Sequence, residues 1–330
     1  MIEPSASEAT RIRVLRPEET EPFASMTFEA SRRLLTICDP GAAQGGSVAI
    51  GAEMMAPSSN EAASVTNAPY SDTCRRSLPS SSPVPVGLAL AEIHPQRPSA
   101  VVRSLYVEEQ WRMRGIGTQL LRALETELQR RGVRVAGAIY VSDSPGFAAT
   151  EAVLRRCGWS TGMPRMRLGR FSIDRIMEMP WIRLKPGPAH EVIPWQDVTQ
   201  RQRDEIKAWP DFPSALSPFS ELALQELRVS TALRVRATGK IIGWMVTHRV
   251  LPDTIRYSSL YVRPDEPVLG RGLPLLAAAI SRQGEARHEL LHALAGVAVS
   301  NEAMSSTLLR RLGPYSEGIA TSFEARKELG

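Results

Sequence analysis

With 330 residues, 43% of them hydrophobic and 23% charged, the chain has the composition of a folded globular protein, which excludes global disorder and a fibrous repeat. That length predicts two domains, because a single core stops growing at about 250–300 residues. The formal charge of +5 is spread along the chain instead of being stacked in a basic run, which argues against a nucleic-acid ligand.

Residues 1–10 are polar and acidic, without a basic flank or hydrophobic stretch, and do not read as a secretory leader. No apolar run approaches the length of a membrane span, so the expected location is the cytoplasm. Cys38, Cys74 and Cys157 lie far apart with no Cys-x-x-Cys spacing, and neither a disulfide framework nor a metal site is expected. Residues 54–85 are rich in Ser, Pro, Ala and Asn and read as a flexible insertion between two strands.

Val86–Ile93 and Ala100–Val107 are apolar runs of strand length, joined by the turn His94-Pro95-Gln96-Arg97-Pro98, which predicts an antiparallel hairpin. Leu120, Leu121, Leu124 and Leu128 recur at helical spacing. They predict a helix from about Gly117 to Arg131, with Gly132 available to stop it. Val135–Val141 is the next strand, and entry from a helix makes it parallel to the strand before. Residues 172–190 read as a linker centred on Lys185-Pro186-Gly187-Pro188. Beyond it, strands are predicted at Leu233–Ala237, Ile241–Arg249 and Ile255–Val262, with a turn at Thr238-Gly239-Lys240 and a helix admitting Pro274 in its first turn.

The chain repeats itself at a separation of 155 residues. Ser104-Leu105-Tyr106-Val107 recurs as Ser259-Leu260-Tyr261-Val262, and eight residues after each Val stands a Gly-x-Gly: Gly115-Ile116-Gly117, then Gly270-Arg271-Gly272. Val141-Ser142-Asp143 matches Val299-Ser300-Asn301, and Leu154-Arg155-Arg156-Cys157-Gly158 matches Leu309-Arg310-Arg311-Leu312-Gly313. Ordered matches of this kind predict a tandem duplication, divided as 1–182 and 183–330.

A glycine loop between a strand and a helix turns successive backbone N–H groups and the positive end of the helix dipole towards an anion, and a diphosphate suits that chemistry. A tight turn with close helix packing is the competing reading. The loop lacks the Lys-Ser/Thr of a P-loop and the third glycine of a dinucleotide fingerprint.

Arg112-x-x-Gly115-x-Gly117, following Leu105-Tyr106-Val107 and preceding an amphipathic helix, resembles the coenzyme A loop of the GNAT (Gcn5-related N-acetyltransferase) superfamily. The order of elements in both copies resembles that fold, which implies an α/β (α+β) protein of two GNAT-like domains, each a mixed central sheet flanked by helices. The resemblance implies acetyl-CoA or a longer acyl-CoA as co-substrate. Arg112, Met113, Arg114, Gly115, Ile116, Gly117 and Thr118 would bind its pyrophosphate, and the strand backbone at Leu105, Tyr106 and Val107 its pantetheine arm, where two strands splay apart. In the second copy Pro267 replaces Arg112 and removes a cation and a backbone donor. Gly270, Arg271 and Gly272 remain, and Asn301 stands where the family often has an Asn touching pantetheine, with Asp143 in the first copy.

The implied reaction is direct attack of an amine, from a small molecule or a peptide, on the thioester. The Tyr that often serves as acid is replaced by Leu154 and Leu309. Glu92 and His248, five residues after Gly87 and Gly243, are the candidate bases, and Tyr106 and Tyr261 stand beside the expected thioester. The Trp209–Phe219 stretch reads either as the wall of an acceptor pocket or as core packing. The other readings are a non-catalytic acyl-CoA-binding scaffold and an enzyme modifying a protein partner; a homodimer is left open.

Overall fold

The computed structural model describes residues 10–38, 46–54, 83–209, 213–265 and 272–330. The chain divides into two units, Met1–Met163 with Phe323–Gly330, and Pro164–Ser322. In chain order the first holds β1 (Thr10–Val14), α1 (Glu29–Thr36), β2 (Ser47–Met54), β3 (Val84–Ile93), β4 (Ser99–Val107), α2 (Ile116–Arg130), β5 (Val135–Val141) and α3 (Phe147–Arg156). Its strands lie in the order β1-β2-β3-β4-β5, antiparallel until β4 meets β5 in parallel, as the intervening helix requires.

Helix α2 buries Leu120, Leu121, Leu124 and Leu128 against Val86, Ala89 and Ala136 on one face of this sheet. Leu88 and Leu90 point to the other face and are covered by Leu15, Phe23, Leu34 and Leu35. This is the period-two alternation of a strand buried on both sides. The α2 helix stops where expected: Gly132 takes a φ of 77° and the Val133 N–H reaches back to the Leu128 carbonyl at 3.0 Å.

The second unit contains β6 (Met163–Ser172) from Pro164 on, α4 (Ile173–Met177), β7 (His190–Pro194), α5 (Gln200–Lys207), β8 (Thr231–Val235), β9 (Ile241–Leu251), β10 (Thr254–Val262), α6 (Leu273–Glu285), β11 (His292–Ala298), α7 (Glu302–Thr307) and the start of β12 (Gly318–Glu328). Its order is β6-β11-β10-β9-β8-β7, with β10 and β11 parallel. The predicted turn at Thr238-Gly239-Lys240 is present, with Gly239 at φ 71°.

The division at 182/183 is corrected. Strand β6 pairs antiparallel with β11 of the second unit, and the expected linker contains α4, whose Ile173 and Ile176 enter that unit's core together with Met179. In exchange, Phe323–Gly330 belongs to the first unit. Most of the expected insertion, residues 55–82, lies outside the described residues; Met54 and Val84, which flank it, are register partners.

The duplication extends to the irregularities. Arg103 of β4 is an extra residue between the pairs Leu90↔Ser104 and Ala91↔Val102, and Ser258 of β10 is the same extra residue between Val246↔Ser259 and Thr247↔Tyr257. Val86 of β3 and Ile242 of β9 form a second matched pair of bulges. Among the described residues no helix is long and apolar enough to cross a membrane.

The terminal segment is tied to α2 through a nearly buried carboxylate. Glu125 accepts from Trp159 Nε1 at 2.6 Å and pairs with Lys327 Nζ at 2.6 Å. Removing one partner of such a pair leaves the others desolvated and unsatisfied. Glu125→Ala is therefore expected to destabilise the protein by about 3 kcal/mol, and Glu125→Gln, which keeps an acceptor for Trp159, by less; urea unfolding of the three proteins measures both.

Candidate coenzyme and acyl-transfer site

Between β4 and α2 the chain makes a 3-10 turn over Glu109–Trp111 and then the glycine loop. Arg112 donates from Nε to the Val107 carbonyl at 2.9 Å, and its guanidinium lies 5.9 Å from the Tyr106 ring centroid. Arg114 stacks over Trp111 at 4.6 Å. Met113 is left-handed, with φ 63°, and 93% exposed. Gly115 caps α2 with φ 82° and no side-chain cap bond, so the first-turn N–H groups at Ile116, Gly117 and Thr118 face outward as a helix start dictates.

The two glycines have different physical reasons. Gly115 is required by its left-handed backbone. At Gly117 a Cβ would meet Val153 and Val107 at only 3.6 and 3.7 Å, ordinary contact, so packing within the chain does not require a glycine there. The close-packing reading thus accounts for the turn but not for Gly117. A phosphate approaching the helix start fits both the donors and the missing side chain.

The β4–β5 ladder begins at Ser99↔Val135 and ends at Val102↔Ala138. The bulge at Arg103 comes at once, so Arg103–Val107, about 16 Å of strand, runs on beyond that ladder towards the glycine loop. This is the expected splay. It places Tyr106 and Arg103 at opposite ends of the open stretch. Tyr106, whose hydroxyl reaches Glu108 at 3.4 Å, is at the loop end. Glu92 lies four residues along β3 from Leu88, the register partner of Tyr106, and is ion-paired with Arg103 at 2.7 Å. Glu92 and Tyr106 are therefore not one cluster.

Sequence reasoning missed the role of the serine in the repeated Ser-Leu-Tyr-Val. Ser104 Oγ donates to the Met26 carbonyl at 3.0 Å, and Ser259 Oγ donates to that of Leu216, tying each open strand to the segment that covers its face. The recurrence of a serine beside the apolar residues was the available signal. Leu154, in the position of the expected acid, is buried in the core. Tyr140 is buried, with its hydroxyl 3.3 Å from Glu151; burial and that carboxylate raise its pKa and keep it protonated. Burial likewise pushes the Cys157 thiol up. Asp143 is exposed in the turn after β5.

In the second unit the ladder also ends at the bulge, Tyr257↔Ala295 being its last pair. Gly270 and Arg271 lie outside the described residues. Gly272 caps α6 with φ −74°, and a Cβ there would press on Leu260 at 3.0 Å, so this glycine serves packing. Asn301 caps α7, accepting from the Met304 N–H at 3.1 Å. Trp244 replaces Leu88 and stacks between Tyr261 at 4.9 Å and Trp209 at 5.6 Å. Phe219 packs on Trp195 at 6.2 Å, so Trp209 and Phe219 at the ends of the stretch pack against the core, while Pro213, Ser214 and Ala215 are exposed and Phe212 lies outside the described residues. His248 is buried at the counterpart of Glu92 and is bonded to Ser258 and to the Ser220 carbonyl. Among the described residues no cluster of three or more His, Cys, Asp or Glu is arranged to hold a metal ion.

Residues 73–159 match the acetyltransferase (GNAT) family. A tandem GNAT protein from the clavulanic acid biosynthesis pathway superposes with a TM-score of 0.62 at 16% identity, over 98% of this chain and 99% of that one. A GCN5-related N-acetyltransferase from Sphaerobacter thermophilus superposes at 0.57 and 16% identity, over 97% and 96%. Among curated proteins no sequence matches the chain.

The two glycines are expected to separate under substitution. Gly115→Ala costs about 1 kcal/mol through its left-handed backbone, whereas Gly117→Ala stays within about 0.5 kcal/mol of the parent. Denaturation midpoints of the two variants test the assignment.

Proposed function

We propose that this chain, which has the fold of tandem GNAT proteins and whose residues 73–159 match the acetyltransferase (GNAT) family, is an acyl-CoA-dependent N-acyltransferase with its coenzyme site in the first unit. The observation that carries this reading is the open strand Arg103–Val107 leading from the end of the parallel ladder to the outward N–H groups of α2. Pyrophosphate would sit at Ile116–Thr118, where Gly117 leaves room, with Arg112 and Arg114 supplying positive charge. The pantetheine arm would extend an edge of β4 from Val107 towards Arg103 by main-chain hydrogen bonds.

That direction brings the thioester to the bulge, not to Tyr106. Glu92 is at the same end, on the face covered by Leu15, Phe23 and Leu34. We assign it as the base that takes a proton from an acceptor amine, directly or through water, with Arg103 holding its carboxylate. Among the described residues the position of the missing Tyr holds Leu154, and the coenzyme thiolate takes its proton from water. The acceptor is a primary amine of a small molecule or peptide. A non-catalytic acyl-CoA binder is the second reading, favoured by Leu154 in place of the acid.

Calorimetric titration with coenzyme A and acetyl-CoA, on the intact protein and on Arg112→Ala/Gly117→Trp, tests the site. One binding event, lost in the folded variant, is expected; binding that survives refutes the first-unit assignment. Amine-dependent release of coenzyme A thiol, reduced on the order of 10²-fold in Glu92→Gln, separates the enzyme from the binder.

A further inference from the structure

His248 and Ser258 form a hydrogen-bonded pair in the second unit, and the protons in it can be assigned. His248 Nε2 is 3.0 Å from the Ser220 carbonyl oxygen, which only accepts, so Nε2 carries a proton. In the neutral ring Nδ1 is then an acceptor, and the Ser258 Oγ–H has two acceptors in reach, Nδ1 at 2.7 Å and the Arg256 carbonyl at 3.2 Å, of which Nδ1 is the nearer. Arg256 Nε donates to the same Oγ at 2.9 Å, and Arg256 is held in turn by the Glu221 carboxylate. Glu221 is one of two described non-glycine residues with positive φ, at 48°. A strained residue that fixes a cation beside a hydroxyl is a feature of functional sites.

The location adds an independent reason. Ser258 is the bulge residue of β10, half-buried, at the end of the parallel ladder where the strands part. Its counterpart Arg103 is a cation paired with a carboxylate. The same place in the second unit thus holds a serine whose proton is directed to an imidazole, whose ring is oriented by a carbonyl, and whose oxygen faces a guanidinium. This is a nucleophile, a base and an orienting group in hydrogen-bond sequence.

We propose that Ser258 is an acyl-accepting nucleophile, activated by His248, that takes an acyl group from an activated ester. Ser258 Oγ attacks the acyl carbonyl carbon while His248 Nδ1 takes the hydroxyl proton. The bond from carbon to the leaving sulfur or oxygen breaks, and the leaving thiolate or alkoxide takes that proton from Nδ1. The products are an acyl-serine ester and the free thiol or alcohol. Water or an amine then attacks the ester carbonyl while His248 Nδ1 takes its proton; the carbon–Oγ bond breaks, Oγ takes that proton from Nδ1, and a carboxylic acid or an amide leaves with Ser258 regenerated. Arg256 lowers the cost of negative charge on Oγ.

The nucleophile does not depend on the amine transfer assigned to the first unit; only the choice of a thioester as donor rests on that reading. The test incubates the full chain with p-nitrophenyl acetate, which needs no coenzyme site, and separately with acetyl-CoA, then applies acid quench and peptide mapping. One acetyl group on the peptide holding Ser258 is expected with the aryl ester, and labelling in His248→Gln is expected to slow on the order of 10²-fold. Because mapping is done on the wild-type protein, the result stands even where Ser258→Ala fails to fold. Labelling by both donors supports a thioester-fed serine, and labelling by the aryl ester alone supports the nucleophile with an oxygen ester as donor. Acetyl found only on other residues, or none at all, overturns the proposal, whatever the first unit does with amines.

Discussion

One extra residue in a central strand, Arg103 in the first unit and Ser258 in the second, is the constraint on which both candidate sites depend. A bulge bends the strand and increases its twist, so a parallel neighbour that has been in register cannot stay so beyond it. The ladders stop at Val102↔Ala138 and Tyr257↔Ala295, immediately before the extra residue in each case. Past the bulge, strand backbone continues towards a helix start. Extended donors and acceptors, then a cluster of outward N–H groups, form a track for a ligand that is amide-like at one end and anionic at the other.

Because the copies share the bulge and the end of the parallel ladder, their differences are informative. The first keeps a glycine at the helix start that packing does not demand; the second has spent the corresponding Gly272 on contact with Leu260. At the bulge the first pairs Glu92 with Arg103, two charges that orient each other, while the second pairs His248 with Ser258, where a proton can move. Trp244 fills the second unit's covered face where Leu88 stands in the first, bringing Trp195, Trp209 and Tyr261 into one aromatic core. On the proposed reading these changes amount to a division of labour, with the anion site assigned to one copy and the side-chain pair at the bulge altered in the other.

The repeat, the hairpin, α2 with its glycine stop and the parallel strand are all legible in the sequence, because each rests on local periodicity or on a residue with a special backbone preference. Ser104 and Ser259 are visible as repeated letters, but not as ties to Met26 and Leu216, since the partners are carbonyls and any residue supplies one. The bulges are invisible for the same reason: Arg103 and Ser258 have nothing in common as side chains, and only the register shows that they are extra. Adjacency to the motif sets Tyr106 beside the thioester in the sequence, whereas the structure places it at the glycine-loop end of the open strand, away from the bulge. The expected unit boundary fails at β6, whose Met-Pro-Arg-Met-Arg-Leu carries no pattern that says which sheet it joins.

That exchange of strands couples the first unit to residues far along the chain. Lys327 pairs with Glu125 across 202 residues, and its Nζ also reaches the Cys157 carbonyl at 2.5 Å. Loop-closure entropy rises only with the logarithm of separation, so a contact between such distant residues costs little more than one between nearer residues. The cost is kinetic, because non-local pairings form late. The helix held by this contact is the one whose first turn offers the candidate pyrophosphate site. Residues 1–163 alone lack the cation that neutralises Glu125 and the strand that comes after β5 in the sheet. The helix that carries the candidate site is thus anchored by Phe323–Gly330, which reach it only after the chain has run through the second unit.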